Sequence, residues 1–342
     1  MDTTTYKVVE LHKYGGQLSH SKRTLRPLLK GEVLIKVHAT TINPADLFFI
    51  NGAYGNKMPD VFPMVPGMEG AGEIVQVGES VDTGLIGKRV STCVSSEHTG
   101  SYEGMWSQYL ITTLDSVIVF NNKEVAYDKI AFAFVNPLTA LGFIDTLKKA
   151  GAKSVGQSGA SSAFGKMFIR LCAKEGIKTV NIVRKEQHIP TLTAIGADVV
   201  ISTSDPNWSS ELQKVAKEHN VTHFFECVGG DTTAAILKAL PFRSIVYHFG
   251  NLELKGLGNI STADFIFNEK VLRGFWVLTW LLSLKPEEVQ NAFKNVVDSL
   301  ESGSDVFTTK VVKSYALDDI QKAMEAYMPN MSEGKVLLQP NN

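Results

Sequence analysis

Lys153-Ser154-Val155-Gly156-Gln157, then Ala163 to Lys174, then Lys178 to Val183 are the three stretches that decide the fold of this chain. The first is short and bounded by Gly and Ser, as a strand is. The second brings Phe164, Met167, Phe168, Leu171 and Cys172 onto one face at helical spacing, and the third is a β-branched run that reads as another strand. Together they form a βαβ unit. In such a unit the first turn receives a diphosphate, and the tip of the second strand carries an acid for a ribose 2′-hydroxyl or a cation for a 2′-phosphate. Here the tip is Val183-Arg184-Lys185, which points to NADPH rather than NADH.

The turn itself is Ala160-Ser161-Ser162-Ala163-Phe164-Gly165, with small residues where glycines often stand. Alone it is a weak motif, equally readable as a Ser-rich helix cap. Small side chains still let backbone approach a diphosphate, the hydroxyls of Ser158, Ser161 and Ser162 add donors, and the helix N-terminus adds free N–H groups and a positive dipole end.

Outward from this unit the chain alternates strand and helix from 126 to 278, with strands at Asp198–Ser202, Thr222–Cys227, Ser244–Phe249 and Val271–Val277 and helices at Trp208–His219 and Asp231–Leu240. That is an α/β domain, a doubly wound parallel sheet of the Rossmann type. Residues 1–125 instead show short strands punctuated by Gly and Pro: Tyr6–Glu10, Glu32–Val37, Gly72–Val77 and Lys88–Thr92. They read as an all-β, barrel-like domain. The tail, 279–342, with a helix over Pro286–Leu300, a strand near Lys310–Lys313 and a helix opened by Asp318-Asp319, is expected to complete that first domain.

With 342 residues, 20% of them charged and a formal net charge of -1, the chain has no basic footprint for nucleic acid and no polybasic run for a membrane surface. No uninterrupted run of about 18 apolar residues occurs. Cys93, Cys172 and Cys227 each sit in apolar or strand-like stretches and read as buried thiols in a reducing compartment. The expected location is cytoplasmic, because no Arg- and Ser-rich transit segment precedes Tyr6; the mitochondrial matrix is the alternative for a mature form.

Ile42-Asn43-Pro44-Ala45-Asp46, Pro66-Gly67-Met68-Glu69-Gly70-Ala71-Gly72, Asn136-Pro137-Leu138-Thr139-Ala140 and Gly334-Lys335-Val336-Leu337-Leu338, in that order, resemble the medium-chain dehydrogenase/reductase superfamily. With Asn51-Gly52-Ala53-Tyr54-Gly55 and Arg273-Gly274-Phe275-Trp276, the chain is most similar to the zinc-free 2-enoyl thioester reductases and their quinone reductase-like relatives. The resemblance implies a GroES-like β-barrel catalytic domain and a homodimer. Zinc-dependent relatives carry Cys where Pro44 stands and His where Met68 stands; neither proline nor methionine suits a catalytic Zn²⁺, so no metal is expected. Glu69 then reads as a turn residue paired to a nearby cation.

The resemblance also assigns roles residue by residue. Tyr54 matches the tyrosine placed at the substrate, either a donor to the developing enolate or an aromatic lid. Asn43 would orient the nicotinamide ribose, or serve as an ordinary turn residue before proline. Cofactor contacts would come from Asn136, Ser161, Ser162, Ala163, Phe164, Arg184, Lys185, Glu186, Phe249, Gly250, Asn251, Leu252, Phe275, Trp276, Val277 and Lys335. Of these, Glu186 must point away from a phosphate, and Trp276 is also compatible with simple core packing. Three functions remain open: an NADPH-dependent enoyl-CoA or enoyl-ACP reductase, an NADPH:quinone or enone oxidoreductase, and a non-catalytic NADPH-binding subunit. The partners expected are a small acyl thioester or quinone and a second copy of the chain.

Overall fold

Strand Glu32–Thr41 organises the N-terminal part of the chain. It pairs antiparallel with Glu69–Val77, Tyr109–Thr113 and Lys335–Gln339, because Val33, Ile35 and Val37 face a core shared with Ile74, Val90 and Leu110. Glycine is required at 72, where an added Cβ would lie 2.2 Å from the Lys36 carbonyl oxygen. In the computed structural model, which describes residues 4–55, 58–94 and 101–341, this strand lies inside a seven-stranded sheet, beside a four-stranded sheet built on Thr5–Leu11. The sheets belong to the unit Met1–Pro137 with Phe293–Asn342, and a second unit spans Leu138–Ala292.

Both boundaries lie further along the chain than the expected 125/126 and 278/279. The first shifts because residues 126–137 pack on the barrel: Tyr127 stacks on His38 at 4.1 Å and lies under the Arg89 guanidinium. The second shifts because the helix Val277–Leu282 is held to the second unit, with the Trp280 indole N–H donating to Asp145 at 2.9 Å. The tail helix Pro286–Glu301 begins in one unit and ends in the other, and Phe293 packs against Phe134.

The second unit is a six-stranded parallel sheet in the order Val199–Ser202, Lys178–Val183, Ser154–Gln157, His223–Glu226, Ile245–His248, Val271–Gly274. Val180, Ile182, Ile201, Phe224 and Val246 pack with Leu212, Ile236 and Leu237 of its helices. Helix Ala163–Glu175 starts at Ser162, whose side chain accepts the Gly165 N–H at 3.0 Å, and ends at Gly176 with φ of +68°, a left-handed stop that glycine adopts without Cβ penalty. The expected strand Val271–Val277 is shorter: it ends at Gly274, and Val277–Leu282 is helical. A short apolar run satisfies either period, and here the pull of Asp145 on Trp280 decides.

The stretch Tyr127–Lys149 has the length and apolarity of a membrane span, but 72% of its most apolar 18 residues is buried inside the chain, as a core helix is.

Candidate active site

Five loops leave the carboxyl ends of parallel strands on one edge of the second unit's sheet. They follow Gln157, Val183, Glu226, His248 and Gly274, and they carry most of the residues expected to contact cofactor. The strand order reverses beside Ser154–Gln157, whose neighbours Lys178–Val183 and His223–Glu226 are reached by crossovers in opposite directions. Ligands of open α/β sheets bind at such a switch point.

The turn after Gln157 is built for close approach. Gly159 has φ of +60°, and a Cβ on Gly165 would lie 2.5 Å from the Ala160 carbonyl oxygen, so the helix can sit this near the turn only with glycine at 165. That steric fit supports Gly165 as the third glycine of the motif. Ala163 and Phe164 occupy the first helical turn, whose N–H groups lack intrahelical acceptors. Ser158 departs from expectation: it is buried and its hydroxyl donates to Glu226 at 3.0 Å, so it is not a phosphate donor. Ser161 stays partly exposed, and Ser162 caps the helix.

Arg184, Lys185 and Glu186 are exposed at the second strand tip. Ser204 donates to Glu186 at 3.4 Å, which draws that carboxylate toward the neighbouring strand end. His188 is held below its ordinary value by burial and by the charges of Lys166, Lys185 and Arg184, so these three cations share one neighbourhood. Lys166 was not among the expected contacts; its sequence signal is a cation directly after Gly165 on the first helical turn.

Phe164 from the first turn of its helix, and Phe249 and Phe275 from two loops, converge on Phe143, with ring centroids 5.4, 4.9 and 4.7 Å away. Phe143 itself lies flat on Phe225 at 3.4 Å. Phe143 belongs to helix Val135–Lys149, which the periodicity reading left unassigned. Asn136 sits in the first turn of this helix, partly exposed. Gly250 passes close to Cys227, Asn251 accepts the Lys255 N–H at 3.2 Å, and Leu252 and Trp276 are exposed at 42% and 48%, whereas Val277 is buried.

In the barrel, Asn43 is enclosed rather than presented, at 3% exposure. Its amide donates to Thr41 Oγ1 and Glu69 Oε1, each at 2.9 Å, and its carbonyl oxygen accepts from Lys335 Nζ. The expectation that Asn43 and Lys335 touch ligand is therefore corrected for these side chains as they stand: Lys335 is 4% exposed and its ammonium is spent on Asn43. Glu69 is likewise no turn residue. It opens strand Glu69–Val77, fully buried, and accepts the Val135 N–H at 2.8 Å. Its expected cation does exist, since burial pushes the Glu69 carboxyl up and the Lys335 charge opposes that.

Asp46, unmarked in the sequence reading beyond its motif, completes the cluster. Its oxygens accept the Asn43 and Met68 N–H groups at 2.7 and 2.8 Å. Burial pushes it up to about 7 despite those bonds. Burial pulls the Lys335 ammonium down, opposed by Glu69 and Asp46. Tyr54 lies in the turn after helix Pro44–Ile50, half-buried.

Residues 29–122 match the model of the alcohol dehydrogenase GroES-like domain and residues 163–301 that of the zinc-binding dehydrogenases. The mitochondrial enoyl-[acyl-carrier-protein] reductase of Arabidopsis thaliana is 31% identical over 288 residues, 83% of this chain and 74% of that protein. The chain belongs to the medium-chain dehydrogenase/reductase superfamily. Within it the chain falls in the zinc-free enoyl reductase branch, and the mitochondrial enoyl-[acyl-carrier-protein] reductase of Caenorhabditis elegans is 32% identical over 304 residues, 86% of this chain and 82% of that one. A putative NADPH:quinone reductase from Mesorhizobium loti superimposes with a TM-score of 0.87 at 28% identity, covering 98% of each chain. Membership of the superfamily makes the chain an oxidoreductase that uses a nicotinamide cofactor. One family description mentions zinc, and among the described residues no group of three His, Cys, Asp or Glu side chains is placed to hold a metal ion.

Proposed function

We propose that the chain is an NADPH-dependent, zinc-independent reductase of the carbon–carbon double bond of 2-enoyl thioesters. The observation that carries this reading is the likeness over most of the chain to enoyl-[acyl-carrier-protein] reductases, joined to the exposed Arg184-Lys185 pair at the second strand tip. The bound reduced nicotinamide supplies a hydride. The crevice residues Ser161, Ser162, Ala163 and Phe164 receive the diphosphate, and Arg184 and Lys185, with Lys166 beside them, neutralise the 2′-phosphate. The phenylalanines around Phe143 give the nicotinamide end a dry, apolar floor.

With no Lewis acid to polarise the thioester, charge developing on its oxygen needs a protein donor. Tyr54 supplies it from its hydroxyl; the β-carbon takes the hydride from the nicotinamide, and the α-carbon takes a proton from Tyr54, which solvent water then reprotonates, so two hydrogens add across the bond. Asn43, Glu69 and Lys335 act at a distance, fixing the start of helix Pro44–Ile50, whose following turn carries Tyr54.

Stopped-flow nucleotide oxidation with crotonyl-CoA, hexenoyl-CoA and a benzoquinone tests the reading. Turnover of the thioesters with NADPH, undiminished by chelator washing, is expected. Turnover of the quinone alone favours the second reading, an NADPH:quinone oxidoreductase, which is supported by the full-length similarity to the Mesorhizobium loti protein. A homodimer in a reducing compartment, cytosol or mitochondrial matrix, completes the proposal.

A further inference from the structure

We propose that Glu226 is a positioning residue for the dinucleotide crevice, tying three of its loops to one buried carboxylate with His248 as its ionisable partner; the inference rests on the dinucleotide reading above. Glu226 ends the strand His223–Glu226 and is fully buried. Its Oε1 accepts the Ser158 hydroxyl at 3.0 Å and the Val228 N–H at 2.7 Å, and its Oε2 accepts the Thr233 hydroxyl at 2.7 Å and the Gly229 N–H at 3.2 Å. His248 Nδ1 stands 2.9 Å from Oε2 but off the line of a good hydrogen bond, an ion-pair approach. Burial pushes this carboxyl up, yet the contacts from His248, Thr233 and Val228 outweigh it and keep the group below its ordinary value.

Each partner opens a different part of the crevice. Ser158 precedes the diphosphate turn, Val228 and Gly229 begin the turn into helix Gly230–Ala239, and His248 is the last residue before Phe249–Leu252. The loops are also locked to one another: the Leu252 and Glu253 N–H groups donate to the Cys227 and Val228 carbonyls at 2.9 Å, and a Cβ on Gly229 would strike Asn251 Oδ1 at 2.3 Å. Only an acceptor with two oxygens satisfies this ring of donors. An amide at 226 would turn its own N–H₂ onto them, and the penalty of unsatisfied buried groups would be relieved by moving the loops.

The side chain reaches no ligand position itself, being fully buried, so its effect must appear in binding geometry rather than in chemistry. Fluorescence titration of NADPH and NADH into the full chain, with steady-state kinetics, compares wild type, Glu226→Gln and His248→Gln. In Glu226→Gln both nucleotides are expected to lose affinity by the same factor, about tenfold or more, the size seen when orienting contacts behind metal ligands are removed, with kcat at saturating nucleotide little changed. The equal factor separates this effect from loss of a 2′-phosphate contact, which NADH would not feel.

Unchanged affinity in a folded Glu226→Gln, or a fall in kcat with affinity intact, overturns the inference. Should Glu226→Gln fail to fold, His248→Gln and Ser158→Ala carry the test. Each removes one partner and is expected to weaken both nucleotides equally; wild-type affinity in both overturns the inference. A wild type that binds neither nucleotide sinks the dinucleotide reading and this inference with it, whereas binding by wild type and variants alike sinks the inference alone.

Discussion

Asn43 and Lys335, 292 residues apart, share a buried hydrogen bond from the lysine ammonium to the asparagine carbonyl oxygen. The bond joins the first turn after strand Glu32–Thr41 to the last strand of the chain, and it places a positive charge beside Glu69 and Asp46. Burial raises both carboxyls, and the lysine charge opposes that rise.

The charge state of that floor sets a pH dependence. Asp46 titrates at about 7 in the folded protein, well above its ordinary 3.8. A folded-state value raised for an acid means the native state holds more protons than the unfolded one between those values, so stability falls as pH rises from about 4 to about 7 and levels off beyond. Asp46→Asn should flatten this decline in thermal melts taken across that window. An equally steep decline in the variant would show that other groups produce it.

Arg184 and Lys185 are exposed cations at the second strand tip. Two charge-assisted contacts to a 2′-phosphate, each about 1.5 to 3 kcal/mol, amount to at least a hundredfold in affinity. The double replacement Arg184→Ala with Lys185→Ala should therefore weaken NADPH by that factor and leave NADH nearly unchanged in a binding titration. Equal losses for both nucleotides would remove the pair from the 2′-phosphate site.

Tyr54→Phe keeps the aromatic ring and removes one hydroxyl. If that hydroxyl meets the developing enolate, kcat on enoyl thioesters drops roughly a hundred- to a thousandfold, about 2.7 to 4 kcal/mol, with NADPH affinity and melting temperature preserved. A quinone, which accepts hydride with less help from a donor, should lose far less. Wild-type thioester reduction by the variant would leave Tyr54 as an aromatic wall only.

Strand Val271–Gly274 is the open edge of the parallel sheet, and Phe265, Ile266 and Phe267 are exposed just before it. An uncovered apolar edge invites pairing. Light scattering at micromolar concentration should give twice the 37.4 kDa chain mass; a stable single-chain species would contradict the homodimer.

The βαβ unit was legible because Phe164, Met167, Phe168, Leu171 and Cys172 mark one helix face, and because Gly165 and Gly176 mark its start and end. The helix Val135–Lys149 was not, since its apolar residues lie all round, as befits a helix buried on most sides. Val277–Leu282 was misread for the related reason that a short apolar run has no decisive period. The site divided along another line. Residues on strand tips, such as Arg184, kept the exposure their chemistry suggested, whereas Asn43, Lys335 and Ser158 turned inward, because a polar group's partners lie far away in sequence and only tertiary packing names them. Glu226 carried no local signal beyond being an acid in apolar surroundings, and for Asp46 the Asn-Pro-Ala-Asp helix start signals a cap and not its burial.

The convergence of Phe164, Phe249 and Phe275 on Phe143 has a consequence for how this fold can diversify. A helix start and two loops that rest edge-on against one ring cannot drift independently, since a change in any one alters the seat of the other two. Retailoring the nucleotide pocket by grafting a single loop would therefore misplace its neighbours, and successful grafts must carry position 143 along with them.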